Sequence, residues 1–298
     1  MKILIQENKD NINTKFHYIG RIVAAAENVN AQAWMEKDLH KVYDVLDTFQ
    51  PDMLILNYEN LNPDMVEYLS QSDISLVLDV TNIKIENLKQ LESIVEENNI
   101  KCKLLITEKK EHESKINTFE LSACADVVTP YSDPVDYKLE ALLISETEDF
   151  DKSLLSKFNS YHTCYAPSSL VVPINTPDLT PVYDFDFLLN SNQLVGLYNK
   201  YDHVIINGSL EYCTSQIFFD ATLRAKKVTL KYPEKDKERF MDFLKSTFVE
   251  FSEEPSSEQV KQQIQFNHTC INRVMQMLIT LDMKEQAQSL SARLGGGQ

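Results

Sequence analysis

Short apolar runs recur along this chain, each separated from the next by a segment with helical spacing, and that alternation constrains the fold more than any other feature. In the first half the runs are KILIQ, MLILN, ISLVLDV and CKLLIT. A strand with one wetted face alternates apolar and polar residues, whereas a strand covered by helices on both sides reads as continuously apolar. Between the runs, DLHKVYDVLDTF places Val42, Val45, Leu46 and Phe49 on one helical face. NPDMVEYLSQ opens with an Asn and a Pro suited to a helix start, and NLKQLESIVEENN is a further helix. FHYIGRIVAAAENV has helical composition, AQAW is a strand, and ADVVTPY is the last strand of this half. Residues 1–135 therefore predict a parallel sheet wrapped by helices, a Rossmann-like domain.

Prolines cluster in TPYSDPVDY, where the domain boundary is placed, and the rhythm then restarts. ALLISE, YHTCYA, SLVVP, DHVIIN and KKVTLKY read as strands. DKSLLSKFNS, SNQLVGLYNKY, TSQIFFDATLRA and EKDKERFMDFLKSTF read as helices. One long final helix is predicted from about Ser257 to Met283, with Ile271, Val274, Met275 and Leu278 on its apolar face. The expected fold class is α/β, with two Rossmann-like domains facing a cleft: 1–135, then 136–283, then a disordered tail over 284–298. Ligands of such domains sit outside the carboxyl ends of the strands.

Composition narrows the function. The 298 residues, 43% of them hydrophobic, suffice for two packed domains. A formal net charge of -16 argues against a general binder of polyanions, which needs clustered Lys and Arg. No apolar run reaches the roughly 20 residues that span a bilayer, and MKILIQENKD turns polar too soon for a signal peptide. A soluble cytoplasmic protein is the expectation. The five cysteines, Cys102, Cys124, Cys164, Cys213 and Cys270, are odd in number and widely spaced, which suits buried free thiols. There is no CxxC pair and no HExxH, so no dedicated zinc site is expected. Before the terminal GGGQ the only glycines are Gly20, Gly196 and Gly208, which excludes a GxGxxG fingerprint and a Walker loop.

The stretch LVGLYNKYDHVIING, followed by SQIFFDATLRAKKVTL, resembles the donor-binding domain of GT-B glycosyltransferases, in particular the compact group that includes spore-maturation-type enzymes. Phe219, Asp220 and Ala221 stand where that group has Phe, Glu and Ala, and Ala225 stands at its glycine. NHTCINRVMQML is similar to the group's His-Thr-aromatic-x-x-Arg helix start, through His268, Thr269 and Arg273. The resemblance covers residues 140–283. It implies a glycosyltransferase moving a sugar from a nucleotide-sugar, with the acid of the helix, here Asp220, accepting hydrogen bonds from the ribose hydroxyls. It also implies that the helix N-terminus faces the diphosphate. No cofactor or metal is required, because helix dipoles and basic side chains can stabilise the leaving diphosphate. A DFD at Asp184–Asp186 looks like a metal motif, but its apolar context suits a loop-to-helix junction.

The residues themselves leave alternatives open. Gly208, Ser209, Thr214 and Ser215 follow a strand and precede a helix, and can offer donors to a phosphate or form a capped connector. Asp220 is either a donor ligand or a solvent-facing acid on an amphipathic helix. His268 and Arg273 either touch the donor or cap a helix start. Asp79 and Glu59, each at a strand end, are candidates for the general base that takes the acceptor proton, or else helix caps. His17, Tyr18 and Arg21 follow the first strand, where an acceptor loop lies, or simply begin a helix. The acceptor is not identified. The Lys-, Asn- and Ile-rich composition suits an AT-rich, viral or phage genome, and modified DNA bases are one acceptor considered, but the acidity disfavours them. The rival function is a non-catalytic two-domain binding protein on a degenerate glycosyltransferase scaffold.

Overall fold

A computed structural model of the chain describes residues 2–6, 32–36, 39–80, 83, 85–107, 114–120, 122–125, 127, 139–147, 150–165, 172–174, 198–248, 255–285 and 287–288. It divides into two compact units: Met1–Ser122 with Cys270–Gln298, and Ala123–Thr269. The division falls at Ser122/Ala123, where the sequence reading places a boundary near residue 135. It groups Cys270–Gln298 with the first unit, whereas the sequence reading gives residues up to 283 to the second.

In the first unit, β1 (Lys2–Gln6), β2 (Gln32–Glu36), α1 (Leu39–Phe49), β3 (Met53–Asn57), α2 (Pro63–Ser70), β4 (Ser75–Asp79), α3 (Ile85–Glu97), β5 (Cys102–Thr107) and β6 (Thr118–Glu120) follow one another. The strands lie in the order β2-β1-β3-β4-β5-β6, every neighbouring pair parallel. The apolar runs behave as their composition requires: β3 is buried throughout, and Leu76, Val77 and Leu78 of β4 are wholly enclosed. Val42, Val45 and Leu46 turn the α1 stripe onto the same core as Leu4, Leu54 and Leu56. Asn62 caps α2 by accepting from the Met65 N–H at 2.8 Å, and Pro63 takes the first helical position, where a missing N–H costs nothing. The sixth strand of this sheet is Thr118–Glu120; of ADVVTPY only Ala125, which makes an isolated bridge, and Val127 are among the described residues.

The second unit contains β7 (Leu139–Ser145), β8 (Tyr161–Tyr165), β9 (Val172–Ile174), β10 (Tyr201–Asn207), α4 (Leu210–Cys213), α5 (Gln216–Arg224), β11 (Lys227–Lys231), α6 (Lys237–Thr247) and α7 (Ser257–Asn267). The sheet order is β11-β10-β7-β8-β9, parallel except for β9. Counted within the unit, this is 3-2-1-4-5 read from the β9 edge, the strand order of a Rossmann sheet. Leu142 and Ile144 of β7 pack with Phe218 and Phe219 of α5 on one face, while Leu143 joins Leu155 and Ile205 on the other. Both faces of the central strands are thus covered, and the fold is a pair of Rossmann-like α/β units.

Two helix expectations are corrected. DKSLLSKFNS forms only a 3-10 turn, Lys152–Leu155. Asp151 accepts from the Ser153 N–H at 2.9 Å and the Ser156 hydroxyl donates to the Ser153 carbonyl at 2.7 Å, side-chain bonds that compete with helical ones. The long final helix is two helices, α7 and then α8 (Cys270–Thr280). Between them His268 leaves helical geometry (φ -128°, ψ 43°), and its carbonyl accepts from the Ala125 N–H at 2.7 Å. Thr269 forms the bridge to Ala125, so a segment remote in sequence takes the backbone groups that a continuous helix needs. The expected tail begins in order: residues 284, 285, 287 and 288 are helical and Ala287 is buried. No helix among the described residues is long and apolar enough to cross a membrane. Cys102, Cys124, Cys213 and Cys270 are free thiols, the last three buried.

Candidate functional site

Strand order locates the place to look in each unit. Where consecutive crossovers depart to opposite sides of a parallel sheet, the loops at the carboxyl ends diverge and leave a crevice. In the second unit that reversal lies between β7 and β10, which pair in register from Leu139 opposite Tyr201 to Ser145 opposite Asn207.

Ser145, Glu146, Asn207, Gly208, Ser209 and the Lys231 carbonyl meet there. The Asn207 amide donates to the Ser145 hydroxyl at 3.0 Å. The Glu146 N–H donates to the Asn207 carbonyl at 2.9 Å, and the Gly208 N–H to the Lys231 carbonyl at 2.9 Å, which ties the ends of β7, β10 and β11 together. Glu146 turns its carboxylate back, and Oε2 accepts from the Ser209 N–H at 2.6 Å. Gly208 is required by this close approach: a Cβ there would lie 2.7 Å from Glu146 Oε2, 2.8 Å from Glu146 Cβ and 2.8 Å from Tyr212 Cδ1. Ser209 caps α4 through the Tyr212 N–H at 3.3 Å, and the Thr214 hydroxyl donates to the Leu210 carbonyl at 2.8 Å. Ser215 stands at the N-cap of α5 in extended conformation, and its side chain makes no capping bond to the first turn. Beneath the loop, Cys213 lies against the carbonyls of Ile206, Gly208 and Lys231, and burial pushes its thiol up to about 12.

Asp220 is one turn further along α5 and only 2% exposed, not a solvent-facing acid. It accepts from Gln216 Nε2 at 2.9 Å. Gln216 also accepts from the Cys124 N–H at 3.3 Å and donates to the Cys124 carbonyl, clamping the α5 start onto the Cys124–Ala125 segment. His268 does not begin a helix; it ends α7, with its ring 6.0 Å from that of Phe219 and 5.1 Å from that of Phe248. Arg273 belongs to the other unit. It is buried in α8, with Nε donating to the Ser122 carbonyl at 3.3 Å and Nη1 to Gln276 at 3.0 Å.

In the first unit the reversal lies between β1 and β3. Gln6 and Asn57 end these strands, both buried, and Asn60 Nδ2 donates to Gln6 Oε1. Asn57 Oδ1 accepts from the Glu59 N–H at 2.9 Å and caps the 3-10 turn Tyr58–Asn60. Glu59 is exposed, and Asp79, opposite Asn57 in register, is 1% exposed. The two candidate bases therefore share one strand-end cluster. Burial, then the Glu59 carboxylate and its hydrogen bond with the Tyr58 hydroxyl, then Asp79, raise the Tyr58 phenol above its ordinary value. His17, Tyr18, Arg21 and Asp184–Asp186 lie outside the described residues.

Glu146 is the residue that sequence reasoning missed. Its only signal was position, directly after the first apolar run of the second sheet.

No protein-family model matches the chain, and no curated protein matches it. Among solved structures, the chain is similar to HepE of Anabaena in complex with UDP-glucose, at 11% identity over 99% of both chains with a TM-score of 0.43. It is similar to the glycosyltransferase SnogD from Streptomyces nogalater at 7% identity, over 94% of this chain and 98% of that one, with a TM-score of 0.42. The glycosyltransferase VinC in complex with DTDP aligns at 10% identity over 100% of both chains, with a TM-score of 0.38.

Proposed function

We propose that the chain is a glycosyltransferase that takes its sugar from a nucleotide-sugar bound at the β7/β10 reversal of the second unit. The observation that carries this reading is the 3-2-1-4-5 strand order, followed by the α5 start with no side-chain cap. Strand-end crevices of this order take nucleotides, and the free N–H groups of a helix start favour a diphosphate. The first turn of α5, through the Ser215 hydroxyl and the N–H groups of Gln216 and Ile217, holds the diphosphate and stabilises it as leaving group without a metal; the Ser215 N–H itself donates to the Tyr212 carbonyl at 3.1 Å.

The acceptor binds the first unit near Gln6, Asn57 and Asn60. Glu59, the exposed acid of that cluster, takes the proton of the acceptor hydroxyl as the acceptor oxygen bonds to the anomeric carbon. The bond from that carbon to the diphosphate oxygen breaks with its electron pair on the leaving nucleotide. Asp79, enclosed at the end of β4 opposite Asn57, holds the strand end in place. The acidity of the chain and the amide-rich character of this cluster support a neutral acceptor over a nucleic acid.

The test is thermal denaturation of the full chain with UDP, GDP, ADP and TDP and their sugar conjugates. A ligand at a hundred times its Kd adds about 2.7 kcal/mol to the folded state and raises the melting temperature by several degrees. If no member of the panel moves the transition, the reading falls.

A further inference from the structure

The resemblance assigned recognition of the ribose to Asp220, but that carboxylate is enclosed and bonded within its own helix to Gln216. Glu146 is in the opposite situation. It is half-buried, directly follows β7 at the strand-order reversal, and has the Ser209 N–H as its one donor among the described residues. An ionised carboxylate offers about four acceptor positions, so most of them have no donor among the described residues. The chain also keeps residue 208 without a side chain at the place where this carboxylate seats.

The Glu146 carboxylate meets the Ser209 N–H and seats against Gly208 beside the Tyr212 ring, with the Cys213 thiol close enough to feel its charge; the preceding residue, Ser145, offers a hydroxyl that accepts from the Asn207 amide. No Lys or Arg among the described residues pairs with it. A phosphate brought to this point meets a like charge, whereas a pair of neighbouring hydroxyls meets a fixed, charged acceptor.

We propose that Glu146 is the diol-binding, specificity-determining residue of the second unit's site, its carboxylate accepting hydrogen bonds from two vicinal hydroxyls of the nucleotide-sugar. The diol is that of the ribose or that of the transferred sugar, and the chemistry of recognition is the same for both. The assignment rests on the donor-site reading above, and it leaves the diphosphate to the first turn of α5.

Calorimetric titration of the full chain separates the outcomes. The ligands are UDP, GDP and ADP, their 2′-deoxy counterparts, and UDP-glucose, GDP-mannose and ADP-glucose, against the native chain and Glu146→Gln. Gln keeps an oxygen for the Ser209 N–H and nearly the same volume, and removes the charge. If the ribose is the diol, loss of the 2′-hydroxyl weakens binding about tenfold or more in the native chain and less than about threefold in the variant. If the transferred sugar is the diol, the same collapse appears in the ratio between sugar conjugate and diphosphate, and the deoxy ratio stays unchanged. A role in shaping the loop alone weakens every ligand by one common factor and leaves both ratios intact, which overturns the assignment while the donor site stands. Failure of all nine ligands to bind the native chain overturns the donor site and this assignment with it. Should Glu146→Gln not fold, Glu146→Asp carries the same ratios, because it retains the charge but withdraws it from the diol; unchanged ratios there also overturn the assignment.

Discussion

Replacing Gly208 by alanine tests the geometry at the strand-order reversal without reference to any ligand. The added Cβ meets three atoms at 2.7–2.8 Å, well inside ordinary contact. Glu146 Oε2 is the far end of a side chain and can swing away, although it then gives up the Ser209 N–H. Glu146 Cβ cannot, because it is fixed to the backbone at the end of β7, and the Tyr212 ring belongs to the buried cluster beneath α5. Forcing one carbon into such a site costs about 1–3 kcal/mol. For a unit of about 150 residues that lowers the melting temperature by roughly 3–9 °C. Circular dichroism on heating, with urea denaturation to check that the slope is unchanged, reads the effect. Gly208→Ala combined with Glu146→Ala removes one of the three close contacts, so the pair should lose less stability than the sum of the two single variants. A Gly208→Ala protein melting within about 1 °C of the native chain refutes the claim that Glu146 and Tyr212 close over this position.

Other perturbations address the packing of the second unit. His203 is 6% exposed, with Nε2 2.7 Å from the Thr229 hydroxyl, and burial, helped by Lys227 and Lys157, lowers its pKa from 6.5 to about 4. The unfolded chain therefore binds a proton that the folded chain refuses between those values, so stability is full above about pH 6.5 and falls as the pH drops towards 4. The loss reaches about 3 kcal/mol at 1.36 kcal/mol per unit, and His203→Asn should flatten that part of the stability profile; an unchanged slope in the variant counts against it. At the α5 start, Gln216→Ala removes the clamp on Cys124 and one donor to Asp220, costing about 1–3 kcal/mol in urea unfolding. Gln216→Glu sets a second carboxylate beside Asp220 and should cost more at neutral pH; a milder effect than that of alanine would contradict the described contact.

Much of the architecture was legible because burial on both faces leaves a mark in composition. MLILN and SLVLD carry polar residues only at their ends, not at the alternate positions a wetted face requires, and both are central strands. The break between α7 and α8 has a different origin. Nothing in FNHTCIN stops a helix locally, since it contains neither Gly nor Pro; the stop comes from Ala125, far away in sequence. Asp220 and Gln216 stand at i and i-4, a pairing visible in the chain, but the enclosure that turns Asp220 inward depends on Phe219 and on the Cys124 segment arriving beside it. Glu146 was one of several acids in ISETED, and only the pairing of β7 with β10 singles it out. Local pattern encodes which segments are covered, while the site is made by strands that become neighbours across some sixty residues.

The order in which the units occur along the chain has a consequence for synthesis. Ala123–Thr269 is contiguous, whereas the other unit is split, its last portion beginning at Cys270. As the chain leaves the ribosome, the strands of the first sheet emerge early and then wait while a whole second unit is translated. The inserted unit has every one of its residues in hand before Cys270 appears and can close its core first. The buried face of α8, with Val274, Met277 and Leu278, arrives only after the whole inserted unit, so the earlier-made part spends longest with an unfinished core. A nascent chain arrested just past Thr269 would therefore expose apolar surface on the part that was made first.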